Sequence, residues 1–160
     1  VDRPLLEAWF RDYRYSNSER EDALSLVFAP ASPGHDAEPA DLRRFARSVG
    51  RDHVLTVLAL RRCLAEVRDG QDSDTARSVA ALGQRIDKLL RAGAVLEVRD
   101  LAIKGGDLIR DHGMQPGPEI GRVLDALLER TLDDPSVNSL EHLGALVPEV
   151  CAVLAREDRE

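Results

Sequence analysis

Apolar residues recur along this chain every three or four positions and almost never alternate, which is the pattern of amphipathic helices rather than strands. Val79, Leu82, Ile86, Leu89 and Leu90 form one stripe and predict a helix over 75–92, closed by Gly93. Ile120, Val123, Leu124, Leu127 and Leu128 form another and predict a helix over 118–132. Punctuation marks the remaining elements. Pro4 suits the first turn of a helix running to about residue 14, and Ser16 followed by Glu19 is a capping box that opens the next, to about residue 28. Residues 29–39 carry three prolines and a glycine without apolar periodicity and read as a surface loop. Helices over 41–49 and 52–67 follow, with Gly50 and Gly70 placed to end them in the left-handed conformation. A short helix over 103–112 comes next, and Asn138 with Glu141 reads as the cap of the last helix, which Pro148 should kink or split. The expected fold is all-α, a bundle of about six to eight helices. Residues 1–70 form a helical body and 71–160 a helical tail, together one compact unit.

Composition supports this reading, since 160 residues with 43% apolar content are enough for one core, and the 4% aromatic content leaves few strand formers. Arginine outnumbers lysine twenty to two, as a GC-rich bacterial genome would produce. The two cysteines, Cys63 and Cys151, sit among apolar residues at helical spacing and read as packed, reduced thiols of a cytoplasmic protein. No apolar run approaches the roughly 20 residues that span a bilayer, so no membrane partner is expected. The chain opens on Val1 instead of methionine, which leads to the expectation of a piece cut from a longer protein.

Charge is uneven along the chain. Residues 41–110 carry 14 basic and 10 acidic groups, whereas 111–160 carry 4 and 11, within an overall charge of −7. Between Arg43 and Arg62 the only acid is Asp52, so Arg43, Arg44, Arg47, Arg51, Arg61 and Arg62 could present a positive stripe to phosphates. A solvated helix face explains the same pattern. Residues 103–121 read as helix, rigid turn and helix, with Gly113 ending the first, Pro116 and Pro118 stiffening the turn, and Gly121 letting a neighbouring backbone come close. Such a hairpin exposes amides that favour phosphate oxygens, with Lys104 and Arg110 as the nearest charged candidates. Purely structural use of these glycines is the other reading.

Catalytic signatures are scarce. His35, His53, His112 and His142 share no helical face with carboxylates or cysteines, and His35-Asp36 lies in the proline-containing loop without further ligands. No phosphate-binding glycine motif and no nucleophile with a local base is present.

The run Ile103, Gly105, Asp107, Leu108, Gly113, Pro116, Gly117, Pro118, Ile120, Gly121, Leu127 and Leu128 resembles the tail region of bacterial CCA-adding enzymes, the tRNA nucleotidyltransferase and poly(A) polymerase family. The similarity continues through Asp134, Pro135 and Asn138. Upstream, Leu42-Arg43-Arg44-Phe45 with Val49-Gly50 is similar to the family's helical body, and residues 6–20 resemble the helices entering it. The chain departs from the family at residues 63–66, where an Ala-Asp pair is common, and at Thr131, where a branched aliphatic residue is usual.

The resemblance implies a parent nucleotidyltransferase that adds C, C and A, or adenylates, to RNA 3′ ends. It also implies that a catalytic head elsewhere in the same polypeptide holds Mg²⁺ and CTP or ATP. This portion would need no cofactor, would carry no catalytic residue and would bind tRNA through Arg43, Arg44, Arg47, Arg51, Lys104, Gly105, Arg110 and Gly117. A helix-hairpin-helix DNA-binding module and a helical protein-interaction domain are the competing readings.

Overall fold

Pro4 stands in the first turn of helix α1 (Arg3–Asp12), where its missing N–H costs no hydrogen bond, in a computed structural model that describes residues 2–157. Among these residues every regular element is helical. The chain divides into two compact units, Val1–Ala92 and Gly93–Glu160.

The first unit contains α1, α2 (Asn17–Val27), α3 (Pro39–Val49), α4 (Val54–Asp69) and α5 (Asp74–Arg91). The Ser16 hydroxyl accepts from the Glu19 amide at 3.2 Å while the Glu19 carboxylate accepts from the Ser16 amide at 2.9 Å, so the expected capping box opens α2. Helix α5 packs along α4 and against α3. This packing gathers α5 with the first unit, and the division falls near residue 92 where the sequence led us to expect it near 70. Leu42, Phe45, Ala46, Val49, Val54, Val57, Leu58, Leu82 and Ile86 are buried and make the core of this unit.

Glycines 50 and 70 have positive φ (97° and 98°), as the sequence led us to expect. Their ψ of 140° and 155° places them in extended, glycine-only backbone in place of the left-handed helical region. A left-handed residue does occur, unforeseen, at Arg14 (φ 58°). There α1 ends in a Schellman turn, in which the Arg14 amide donates to the Arg11 carbonyl and the Tyr15 amide to the Phe10 carbonyl, both at 3.1 Å. Tyr15 seals the turn edge-on against Phe10, with ring centroids 5.3 Å apart. Glycine is the usual occupant of such a position because a Cβ is strained there. Arg14→Gly should therefore raise stability by up to about 1 kcal/mol, read as a higher denaturant midpoint.

The loop at residues 29–38 is less free than its composition suggests. Arg61 on α4 donates to the Ala29 carbonyl at 2.9 Å, to the Pro30 carbonyl at 2.6 Å and to the Ser32 hydroxyl. Arg85 on α5 donates to the carbonyls of His35 and Ala37. Two guanidinium forks thus satisfy backbone carbonyls that a proline-containing loop cannot pair within itself.

The second unit contains a 3-10 turn (Val98–Asp100), α6 (Gly105–His112), α7 (Pro118–Asp133), a second 3-10 turn (Pro135–Val137) and α8 (Leu140–Glu157). Helix α7 is its hub, meeting α6, α8 and both 3-10 turns. The predicted stripe supplies the packing face, with Val123, Leu124, Leu127 and Leu128 buried. Thr131, where the family resemblance favours a branched aliphatic residue, is fully buried, and its hydroxyl is satisfied by donating to the Leu127 carbonyl at 3.0 Å.

Two expectations for the last helix are corrected. Helix α8 is not split at Pro148 but continues through it as one element, with Leu143, Val147 and Val150 buried on either side of the proline. Its cap is Ser139, whose hydroxyl accepts from the His142 amide at 3.2 Å. Asn138 instead accepts from the Ala102 amide at 2.8 Å and donates to the Asp100 carbonyl at 3.3 Å, tying the segment before α6 to the turn before α8.

Candidate nucleic-acid interface

The arginines of α3 follow from its amphipathic pattern. With Leu42, Phe45, Ala46 and Val49 facing the core, positions 44 and 47 fall on the side of α3 away from that stripe and position 43 falls on its flank. Arg43 is only 7% exposed, so it offers little surface to a phosphate, contrary to its expected place in an open stripe. Arg44, Arg47 and Arg51 are half-buried. All four have interaction partners within the protein.

The other two members of the expected stripe are engaged differently. Arg61 faces the loop at residues 29–38, and its burial pushes the guanidinium below its ordinary range. Arg62 pairs with Glu66 at 2.7 Å on the exposed face of α4. The six arginines therefore do not make one open row; Arg44, Arg47 and Arg51 are what remains near the surface of α3 and the turn after it.

In the second unit the hairpin joins α6 to α7. Lys104 precedes α6; its backbone N–H donates to Asp107 Oδ2 at 2.8 Å, and its ammonium donates to the Arg99 carbonyl at 2.6 Å. That acceptor is a neutral carbonyl and not a carboxylate, and Lys104 stands exposed at the start of the helix. Arg110 is held by two carboxylates, Asp111 at 2.9 Å and Asp107 at 2.7 Å. Those hydrogen bonds raise its pKa beyond an ordinary guanidinium, while Arg110 in turn lowers that of Asp111. Its charge is more than offset locally, which makes Lys104 the stronger phosphate candidate of the two.

The glycines of the hairpin sort themselves by geometry. Gly113 ends α6 in the left-handed conformation (φ 66°, ψ 19°), as the sequence led us to expect. Gly117 is extended (φ 169°, ψ −179°), a backbone any residue adopts, and Pro118 occupies the first position of α7 as anticipated. The close approach expected at Gly121 occurs elsewhere, because a Cβ at 121 would have no neighbour within 4 Å. At Gly105 a Cβ would lie 3.0 Å from Ile120 Cγ2, so this glycine lets the start of α6 sit against α7.

The remaining candidate groups are dispersed. Among the described residues no three His, Cys, Asp or Glu side chains are placed to share a metal ion. His53 lies 3.3 Å from Asp22, an isolated pair. Cys63, expected to be packed, is exposed on α4, while Cys151 is half-buried; both are free thiols. None of the described helices is long and apolar enough to cross a membrane.

Comparison with known proteins covers both units. A family model described as tRNA nucleotidyltransferase domain 2, putative, matches residues 6–147. The CCA-adding enzyme of Streptococcus thermophilus is 24% identical over 152 residues, 85% of this chain and 37% of that protein. The CCA-adding enzyme of Leuconostoc citreum is 32% identical over 71 residues, 42% of this chain and 18% of its own length. That of Streptococcus pyogenes serotype M5 is 34% identical over 68 residues, 40% of this chain and 17% of its own length. The matched segments thus span well under half of these curated relatives. No solved structure matches.

Proposed function

The chain belongs to the tRNA nucleotidyltransferase domain 2 family, and on that premise we propose that it is the tRNA-holding helical portion of a CCA-adding or A-adding enzyme. The observation that carries this reading is the family match over residues 6–147, which runs through both helical units. In this reading the helices hold the tRNA by its shape and phosphates, presenting its 3′ end to a catalytic portion of the same polypeptide. Mg²⁺ and CTP or ATP are handled by that catalytic portion, whose metal supplies activation of the attacking hydroxyl. The part played by these residues is to bind and orient. Arg44, Arg47 and Arg51 in the first unit, and Lys104 with the amides at the start of α6 in the second, are the groups suited to phosphate contact.

The test is binding of a tRNA transcript to the 160-residue chain over a series of salt concentrations, with a DNA duplex as competitor. Affinity should fall as salt rises, and Arg44→Ala with Arg47→Ala should make the log–log salt slope shallower by about one for each phosphate no longer neutralised. Arg43→Ala is the control, since its burial makes it a stability variant. Equal competition by duplex DNA would favour the DNA-binding reading, and absence of salt-sensitive binding to any nucleic acid would overturn the proposal. In the same mixture with Mg²⁺ and labelled CTP or ATP, these residues alone should incorporate no nucleotide.

A further inference from the structure

The end of α1 concentrates aromatic surface in a chain that has little of it. The only tryptophan and both tyrosines of the protein fall within seven residues, at Trp9, Tyr13 and Tyr15, alongside Phe10. Phe10 is buried, but Trp9, Tyr13 and Tyr15 are 43%, 67% and 45% exposed. The arrangement is ordered by packing. Trp9 and Tyr15 are stacked with an interplanar angle of 30° and centroids 5.4 Å apart, and Tyr13 lies 4.8 Å from Trp9. Phe10 braces both Trp9 and Tyr15 edge-on, at 5.3 Å from each. The left-handed turn at Arg14 is what returns Tyr15 to this cluster.

Arginines alternate with these rings. Arg11 and Arg14 are exposed, and neither forms an ion pair or side-chain hydrogen bond with another described residue. Arg3, by contrast, is taken up by Glu7 at 3.0 Å and by the face of Phe28. Exposed rings interleaved with uncommitted guanidinium groups match two features of a single strand, the base face and the phosphate beside it. Leu5 does extend the apolar face along α1, which is why the experiment must separate RNA from a protein partner.

We infer that Trp9, Tyr13 and Tyr15, flanked by Arg11 and Arg14, form a stacking site for unpaired nucleotides of the bound RNA. This rests on the RNA-holding reading and adds to it a site on a different element from the α3 arginines and the α6–α7 hairpin. It also gives Arg14 a reason to occupy a position where glycine would be less strained.

Because Trp9 is the only tryptophan, its fluorescence reports the site directly. The full 160-residue chain is titrated with a single-stranded RNA twelve nucleotides long, with the same sequence as a blunt duplex, and with a tRNA transcript. The single strand and the tRNA should quench Trp9 saturably, and the duplex should not. Tyr13→Leu, which keeps apolar bulk but removes the ring, should weaken single-strand binding by about five-fold or more, whereas Tyr13→Phe should bind like the parent. Tyr13 is exposed enough that an unchanged denaturant midpoint can be confirmed for both variants. Arg14→Gly should bind more weakly despite its higher midpoint. If tRNA still binds through the α3 arginines while Trp9 fluorescence is unmoved, or Tyr13→Leu binds like the parent, the stacking site is overturned, the RNA-holding reading stands, and the face is left to protein packing. Failure of every RNA to bind would overturn both.

Discussion

Leu127→Ala is expected to destabilise the second unit by about 3–5 kcal/mol, the upper part of the range for emptying a leucine site in a packed core. Leu127 is fully buried in the middle of α7, and α7 is the helix on which α6, α8 and both 3-10 turns rest. The cost has two parts: the apolar surface no longer removed from water, and the void that remains because neighbours on several elements cannot all close in. Leu128 and Leu132 on the same helix, and Leu143 and Val147 on α8, are fully or almost fully buried too. A unit of fewer than 70 residues has a total stability of only several kcal/mol, so the variant should be largely unfolded there at moderate denaturant. Leu140→Ala is the matched control, since Leu140 is exposed and its truncation should cost less than about 0.5 kcal/mol. Chemical denaturation followed by far-UV circular dichroism reads both, and a Leu127→Ala destabilisation below about 1 kcal/mol would show that α7 is not the hub.

The second large effect is at the α6–α7 interface, where two glycines should respond with opposite sign. Gly105→Val should cost about 1–3 kcal/mol, because even its Cβ would press on Ile120 at 3.0 Å and its two methyl groups add bulk beside Leu124. Gly121→Ala should instead stabilise by roughly 0.5–1 kcal/mol, since it replaces a helical glycine on α7 with nothing within 4 Å to obstruct the new methyl. A Gly105→Val midpoint that does not fall would mean that Gly105 does not set the spacing of the two helices. Gly105→Ala is the intermediate case, where the gain in helix propensity works against the tight approach and the sign depends on whether Ile120 can give way by a few tenths of an ångström.

Local periodicity and punctuation made much of this molecule legible from its sequence. The stripes on α5 and α7 lie on core faces as predicted, Ser16 and Glu19 form their capping box, Gly113 is left-handed and Pro118 opens α7. Each of these depends on interactions within about four residues, so the information is contained in short spacings. The hairpin motif and the arginines of α3 were sufficient to indicate the family, which the match over residues 6–147 establishes.

Tertiary packing decided the rest, and it did so where a residue type permits several partners. Arginine can face solvent, pair with an acid or clasp a carbonyl, and Arg61 and Arg85 found their acceptors 29 to 50 residues away in a loop whose composition says only that it is irregular. Asn138 could cap α8 or bridge to another segment, and the proximity of residues 100–102 selected the bridge while Ser139 took the cap. Which of Gly105 and Gly121 admits a neighbour depends on where Ile120 points, and whether Arg43 is buried depends on what covers the flank of α3. A sequence sets the helical phase of such residues through the 100° step of the backbone, but only the neighbouring elements determine which face is covered and which polar group lies within reach.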